Sequence, residues 1–282
     1  MSLTSFIEGS TEYKDLVRNN FAKPKFNAGP LIVEPQTKNY GLVGTAFDYL
    51  LRFKIERENE SGTRPWIASS LGNPSFSADS ELPEARLDID IDYVSKRAAS
   101  VTKINTEART LHEVYLKTGS MTDALIESAL KLATIDIVFR TGRYDDHIGI
   151  VDPLDVADLS NLYQLIDDSK FKSSQTCYLN PTFGIGSELV NGADADLIID
   201  GALIDIKTTK KSDFSWAYFD QLVGYFLLHA IDCEHRNVPI SIQKFGIYFS
   251  RHGCLFLMNI DDLISETKLA DVVHLFKNLV KQ

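Results

Sequence analysis

The sequence predicts a mixed α/β fold in which a central sheet is flanked by helices. Apolar segments with helical spacing surround short apolar strands, an Asp-Gly turn joins two of those strands, and a long helix separates them from two more. Because an apolar sheet must be covered on its faces, this order favours a layered architecture. The chain has 282 residues, 44% of them apolar, which suffices for a sizeable core and is consistent with one domain over residues 1–282.

The N-terminal part is predicted to be helical and then extended. A short helix over about residues 11–20 precedes a segment in which three prolines prevent a helix. Residues 42–58 read as an apolar helix that becomes charged at its end. Residues 59–80, rich in Ser, Gly, Asn and Pro, are predicted to form a loop.

A helical insertion is predicted over approximately residues 81–145, before the sheet. Three helices are expected there, over residues 86–103, 106–117 and 121–141. Ser120 and Asp123 have the spacing of a capping box for the last helix, and Gly142 is its expected stop.

The second half of the chain supplies the strands. A short helix is expected over residues 155–168, before a β-hairpin within residues 192–207. A helix follows, with Asp213 or Ser212 at its N-cap. The remaining elements are predicted in the order helix, strand, strand and amphipathic helix, over residues 213–230, 242–249, 254–259 and 262–281.

The hairpin is the most informative part of the sequence. Asp200-Gly201 between apolar runs is typical of a type I′ turn, which requires positive φ at both central residues. This turn places Ile199 opposite Ala202, and therefore Asp196 opposite Asp205 and Asp194 opposite Lys207. Three carboxylates and one ammonium group are thus predicted on one face. The other face is predicted to carry Ala195, Leu197, Ile199, Ala202, Ile204 and Ile206.

This arrangement of charged groups suits metal-assisted phosphodiester hydrolysis. Carboxylates bind hard cations such as Mg²⁺ or Mn²⁺, so Asp196 and Asp205 are candidates to share one ion, with the Ile206 carbonyl as a third ligand. Lys207 lies on the same face, where an ammonium group can orient the attacking water or stabilise developing negative charge. The bare acidic-x-Lys triplet occurs four times in the chain, so the prediction depends on the hairpin around it.

At these residues the chain resembles a known group of enzymes. Asp196 followed by Asp205-Ile206-Lys207 resembles the active-site core of the PD-(D/E)XK nuclease superfamily. Gln221 to Tyr225 matches the Gln-x-x-x-Tyr motif of its RecB-like exonuclease branch. That branch places Gly-x-x-x-His ahead of the sheet, where this chain has Gly44 and Asp48. The resemblance covers about residues 40–55 and 190–230. Both Asp194 and Asp196 follow alanine rather than proline.

The resemblance implies a restriction-endonuclease-like fold and a divalent-metal-dependent DNA nuclease, of exonuclease type. It implies Asp196, Asp205 and Lys207 as catalytic residues, and Asp48 or Asp194 as an additional metal ligand. Gln221 and Tyr225 would line the substrate side. The helical insertion would shape a substrate channel, although it could equally well only cover the sheet. No iron–sulfur cluster is expected, because Cys177, Cys233 and Cys254 are few and far apart.

The charge composition limits how such an enzyme would bind DNA. The chain has 39 acidic and 29 basic residues and a net charge of −10, which argues against coating a duplex. Guidance of a single strand or an end is therefore expected from a small basic lip, namely Lys207, Lys210, Lys211 and Arg251. The same charge favours a partner protein that delivers the substrate.

Two other functions are compatible with the sequence. One is a catalytically inactive nucleic-acid- or protein-binding module with the same fold, against which the intact Asp196, Asp205 and Lys207 argue. The other is an acidic protein that imitates nucleic acid, for which the acidic residues are too evenly spread. The chain has no run of 18 apolar residues, no recognisable signal peptide and few cysteines, so a cytoplasmic protein without membrane contact is expected.

Overall fold

The computed structural model describes residues 2–59, 91–141, 147–236, 238 and 240–281. It is a mixed α/β fold with a five-stranded sheet flanked by helices, as the order of elements predicted. Beyond Asn59, the predicted loop over residues 59–80 lies outside the described residues. The first ten residues of the predicted insertion and the stop at Gly142 also lie outside them.

The described helices and strands follow one another in a simple order along the chain. The helices are α1 (Leu3–Gly9), α2 (Thr11–Asn20), α3 (Tyr40–Glu58), α4 (Ile91–Thr118), α5 (Asp123–Thr141), α6 (Pro153–Gln164), α7 (Gly184–Leu189), α8 (Trp216–His235) and α9 (Glu266–Leu279). The strands are β1 (Cys177–Leu179), β2 (Leu197–Ile199), β3 (Ala202–Lys207), β4 (Lys244–Phe249) and β5 (Cys254–Asn259). Short 3₁₀ turns cover Asp168–Phe171, Ser250–His252 and Ile260–Asp262.

The sheet has the strand order β1-β2-β3-β4-β5 and is antiparallel except for one pair. Strands β3 and β4 are parallel, with Asp205 opposite Ile247 and Lys207 opposite Phe249. Parallel neighbours need a crossover connection, and α8 supplies it. The carboxyl end of β3 therefore lies beside both β4 and the helix that follows.

Both faces of the sheet are buried. On one face, Ile198, Leu203 and Phe245 belong to a core cluster shared with α1, α2, α8 and α9. On the other, Ile199 and Ile204 belong to a cluster shared with α3, α4, α5 and α6. The two helices of the predicted insertion thus cover the second face. Ala195 was predicted on this second face, but it belongs to the first cluster, because the chain leaves the strand geometry before Leu197.

Several predicted boundaries were wrong for local reasons. The helices expected over residues 86–103 and 106–117 form one continuous α4, in which Asn105 and Thr106 side chains donate to carbonyl groups four residues earlier. The N-cap of α5 is Thr122, whose hydroxyl accepts from Leu125 N at 3.2 Å, rather than Ser120. Helix α8 begins after Ser215, whose hydroxyl accepts from Tyr218 N.

The N-cap of α8 is Ser215 instead of the predicted Asp213 or Ser212, because tertiary pairing keeps the preceding residues extended. Asn27 bridges Asp213 in antiparallel fashion, and Phe214 N donates to the Phe26 carbonyl at 3.1 Å. This pairing leaves Ser215 as the first residue free to cap the helix. Helices α1 and α7 and strand β1 were not predicted, since each has seven residues or fewer and little periodicity.

The hairpin turn adopts the predicted geometry. Asp200 and Gly201 have φ values of 45° and 76°, and Ile199 is paired with Ala202. The Asp200 carboxylate also accepts hydrogen bonds from the backbone of Ser174, Gln175 and Thr176, at 2.7–2.9 Å. Although partial desolvation opposes ionisation, these bonds lower the pKa of Asp200 to about 2. The turn therefore ties the hairpin to the segment that enters β1.

We expect Asp200→Asn to destabilise the protein by about 1 kcal/mol at pH 7, because the amide cannot replace the charge-assisted bonds at this exposed site. Asn tolerates the left-handed backbone, so the substitution acts on the charge. A depressed pKa in the folded state contributes stability that is present above the unfolded value of about 4 and is lost as the pH falls through the folded value of about 2. The difference between wild type and variant in urea unfolding should therefore shrink steadily over this range and vanish below pH 2. Asp261→Asn, at another exposed carboxylate, is the control; a constant difference across that range would contradict the prediction.

Candidate functional site

The candidate site lies at the carboxyl end of β3, where the start of β2, the N-terminal half of α3 and the first turns of α8 meet. Gly44 in α3 approaches this end closely: a Cβ built on it would lie 3.6 Å from Thr208 Cβ. Thr208 in turn accepts a hydrogen bond from the Ser250 hydroxyl at 2.9 Å. The ends of β3 and β4 and the first turns of α3 are thereby held together. Asp48 follows Gly44 by one helical turn.

Asp196 and Asp205 lie close enough to interact electrostatically, although the paired register of β2 and β3 ends at Leu197 and so does not place them opposite each other. Asp196 lies just before β2, and its Oδ2 accepts a hydrogen bond from Ile206 N at 2.6 Å. Its side chain thus takes the place that the Ala195 carbonyl would have had if the register of β2 and β3 had continued beyond Leu197. Since the N–H and C=O of one strand residue point to the same side, the Ile206 carbonyl also faces Asp196. Asp205, the residue before, is 3% exposed.

Lys207 links these carboxylates to α8. Its Nζ lies 2.7 Å from Asp205 Oδ2 and donates to Gln221 Oε1 at 2.9 Å. Gln221 Nε2 donates to the hydroxyl of Tyr225 at 2.9 Å, one turn further along the helix. Lys207 Nζ also lies 5.2 Å from the centre of the Tyr218 ring, within cation–π range. The lysine is therefore held on several sides in one position.

Asp194 does not occupy its predicted place opposite Lys207. It is exposed and forms an isolated antiparallel bridge with Thr182. The residues before β2 pair with the segment after β1, as Asn180 N donates to the Asp196 carbonyl and Ala195 N donates to the Pro181 carbonyl. The two-strand register therefore ends at Leu197. Burial raises the pKa of Tyr225, the carboxylates of Asp196 and Asp205 raise it further, and Asp194 adds a smaller contribution.

Asp48 lies at the site and has a cationic partner that the sequence reasoning missed. Arg52, one turn along α3, places its guanidinium nitrogen 2.5 Å from Asp48 Oδ2, and its side chain is only 12% exposed. The guanidinium also lies 4.9 Å from the Tyr49 ring centre. The i,i+4 spacing of Asp48 and Arg52 in the sequence was a usable signal, but it does not distinguish a site pair from a surface pair.

The electrostatics of the site are dominated by burial. Desolvation raises the pKa of Asp196 well above its usual value, and the carboxylates of Asp205 and Asp48 raise it further. Burial also raises the pKa of Asp205, although Lys207 partly offsets it. For Lys207, burial lowers the pKa, but Asp205 and Asp196 more than compensate, so its pKa is raised and it stays charged. Ionisation of Asp196 and Asp205 therefore carries an electrostatic cost that is set mainly by burial.

The basic lip is only partly present. Lys210 is exposed and lies 3.5 Å from Glu34, and Lys211 is also exposed. Arg251 was predicted to be part of this lip, and that prediction was wrong. Its side chain is 1% exposed and forms a two-bond ion pair with Asp158, so it cannot contact a nucleic acid.

The donor set at the site fits a small, hard cation. All the candidate ligand atoms are oxygens, those of Asp196, Asp205, Asp48 and the Ile206 carbonyl, and two of the carboxylates are ionised only at an electrostatic cost. Within the part of the chain that the structure describes, no three acidic, His or Cys side chains form a compact metal cage. Mg²⁺ is usually held by one or two carboxylates, with water and substrate phosphate completing its shell, so a pair of carboxylates is sufficient.

Comparisons of the chain with protein-family models, with curated proteins and with solved structures find no match. Among the described helices, none combines the length and apolar composition needed to cross a bilayer.

Proposed function

We propose that the protein is a divalent-metal-dependent DNA nuclease of exonuclease type, with a restriction-endonuclease-like fold. The observation that carries this proposal is the continuous arrangement of Asp196, Asp205 and Lys207 at one strand end, with Lys207 bonded to Gln221 on the crossover helix. A half-buried lysine held against a buried carboxylate is costly to a fold and is typical of a site that performs chemistry.

In this proposal Asp196 and Asp205 hold Mg²⁺ or Mn²⁺, with the Ile206 carbonyl and Asp48 as further oxygen ligands. The cation supplies Lewis-acid stabilisation of the negative charge that develops on the phosphoryl group. Asp194 is a weaker candidate ligand, because its backbone pairs with Thr182 instead of β3.

Lys207 is the residue that acts on the attacking water and on the phosphate. Its ammonium group remains charged, so it donates hydrogen bonds and stabilises developing negative charge. Gln221 and Tyr225 restrict its movement, since the amide oxygen accepts from Nζ and the amide nitrogen is fixed by the tyrosine hydroxyl. This restriction keeps the ammonium group at one position and reduces the reorganisation that the reaction requires.

The substrate side of the proposal is a single strand or a DNA end. Lys210 is exposed three residues after Lys207 and is placed to contact a backbone phosphate once its pairing with Glu34 is exchanged. With a net charge of −10, tight duplex binding is not expected, and a partner protein that delivers the substrate fits this charge. The three free cysteines suit the reducing cytoplasm.

End-labelled single- and double-stranded DNA, incubated with the protein in Mg²⁺, Mn²⁺ or EDTA, tests the proposal. We expect metal-dependent cleavage that Lys207→Ala reduces about 10²- to 10³-fold. Lys268→Ala is the matched control, because Glu266 and Lys268 repeat the acidic-x-Lys triplet on the exposed surface of α9. Single-nucleotide products would indicate an exonuclease, and a ladder of fragments an endonuclease.

Cleavage that Lys207→Ala leaves at the wild-type rate would overturn the proposal. Cleavage of RNA but not DNA would correct the substrate. DNA binding without cleavage in any metal, measured by fluorescence anisotropy, would instead support the inactive binding module with the same fold.

A further inference from the structure

The Asp48–Arg52 pair at the candidate site is unlike an ordinary helix-surface ion pair. The guanidinium of Arg52 lies 2.5 Å from Asp48 Oδ2, and its Nε donates to the Asp48 carbonyl at 3.3 Å. The two side chains are 12% and 22% exposed, so solvent screens the pair only weakly. The Tyr49 ring lies 4.9 Å from the guanidinium, and the Tyr49 hydroxyl is itself bonded to Asp136.

The charge balance of the site gives this pair its significance. When all three candidate ligand carboxylates (Asp48, Asp196 and Asp205) are ionised, they exceed the two nearby cations, Lys207 and Arg52, by one negative charge. A divalent ion changes that balance from −1 to +1. Lys207 is bonded to Asp205 and Gln221, whereas Arg52 contacts the cluster through Asp48. A divalent ion would therefore take over the neutralisation of Asp48 that Arg52 provides.

We propose that Arg52 competes with the divalent cation for Asp48, so that binding of the cation at Asp196 and Asp205 separates the Asp48–Arg52 ion pair. This inference rests on the metal site of the proposed function. It assigns Arg52 the role of setting the affinity of the site for its metal. The guanidinium neutralises Asp48 while no metal is bound, and Asp48 becomes an additional oxygen ligand once Arg52 has moved away.

The opposite role is that Arg52 orients Asp48 as a ligand and so strengthens metal binding. The direction in which one substitution at Arg52 changes the affinity for Mn²⁺ distinguishes the two roles. Under competition, removing the positive charge increases the affinity for Mn²⁺, because the repulsion between two cations and the cost of breaking the pair both disappear. Under orientation, the same substitution decreases the affinity.

Isothermal titration calorimetry with Mn²⁺ alone, on the full chain without DNA, measures this change in affinity. We expect Arg52→Gln to bind Mn²⁺ about tenfold more tightly than the wild type, and Arg52→Lys, which keeps the charge, to bind within about twofold of it. Arg57→Gln, on the last turn of the same helix and paired with Glu58, is the matched control and should leave the affinity unchanged. Circular dichroism establishes that each variant is folded.

A second measurement uses the wild-type protein, so that a folding defect of Arg52→Gln cannot obscure the result. The Nη–H resonances of Arg52, which report the bond to Asp48 Oδ2 and are assigned by their absence in Arg52→Lys, should be protected from exchange in EDTA and lose that protection in Mg²⁺. An unchanged or reduced Mn²⁺ affinity of folded Arg52→Gln overturns the proposal, as do Nη–H resonances that Mg²⁺ saturation leaves unchanged. Absence of Mn²⁺ binding in both wild type and Arg52→Gln overturns it as well.

These readouts are independent of DNA cleavage. If the wild type binds Mn²⁺ more weakly than Arg52→Gln but cleaves no nucleic acid, the nuclease proposal fails and the role of Arg52 stands. If DNA is cleaved in a metal-dependent way but Arg52→Gln binds Mn²⁺ no more tightly, the nuclease proposal stands and the role of Arg52 fails.

Discussion

Replacing Asp205 by Asn is expected to reduce metal-dependent DNA cleavage by about a thousandfold or more, with the fold retained. Asp205 is buried at the end of β3, and its carboxylate is both a candidate metal ligand and the ion-pair partner of Lys207. The amide has nearly the same shape but no charge, so it weakens the cation site without leaving a cavity. Lys207 keeps its hydrogen bond to Gln221 and the nearby charge of Asp196.

Rates of cleavage at saturating Mg²⁺ and far-ultraviolet circular dichroism together measure this effect. Glu266→Gln, in the exposed triplet on α9, is the control and should cleave at the wild-type rate. A folded Asp205→Asn protein with full activity would refute the assignment of the site.

A second substitution at the site, Asp196→Asn, is expected to change catalytic activity and stability in opposite directions. Burial, Asp205 and Asp48 raise the pKa of Asp196, so in EDTA the folded state binds more protons than the unfolded state. Stability is therefore lost as the pH rises above the unfolded value of about 4 and through the raised pKa of the folded state.

Asn cannot ionise, and it can still accept from Ile206 N. We expect Asp196→Asn to abolish cleavage yet unfold about 2–4 °C higher than wild type at pH 8 in EDTA. A lower unfolding temperature under these conditions would contradict this account.

Replacing Arg251 by Met is expected to destabilise the protein by about 3–5 kcal/mol. Its guanidinium bonds both oxygens of Asp158 at 2.8 Å, and each side chain is 1% exposed. Removal of one partner leaves the Asp158 charge buried without compensation, and that penalty exceeds the value of the pair itself.

The same residue also holds an extended segment in place. The Arg251 carbonyl accepts from Ile32 N and Val33 N, and its guanidinium donates to the Val33 carbonyl at 3.3 Å. We therefore expect Arg251→Met to loosen the chain that leads into α3, and hence to affect Asp48 indirectly.

Urea unfolding gives the loss of stability directly. The double variant Arg251→Met/Asp158→Leu, in which neither charge remains, should recover most of the loss. A single variant within about 1 kcal/mol of wild type would show that the ion pair contributes little. A double variant as unstable as the single one would show that the packing of Arg251, and not its charge, is responsible.

The local parts of this protein could be predicted from the sequence. The Asp-Gly turn fixed the register of β2 and β3, because a two-residue loop allows few backbone conformations. The turn returned the chain so that Asp196 lies beside the end of β3, although the paired register itself stops at Leu197. Helical spacing placed Gln221 and Tyr225 on one face of α8. Helices α2 and α3 and strands β4 and β5 also lie where periodicity and turn residues predicted them.

Other features depended on contacts between residues distant in the chain. Asp194 leaves the predicted register because the segment after β1 pairs with its backbone, and no local signal marks that pairing. Arg251 becomes a buried structural residue because Asp158, 93 residues earlier, lies opposite it. Arg52 joins the site because α3 packs against the end of β3 at Gly44. The sequence by itself determined which groups share a strand or a helix face, since these follow from backbone geometry over a few residues. Only the tertiary structure decided which of the charged groups are buried, because burial depends on packing between distant elements.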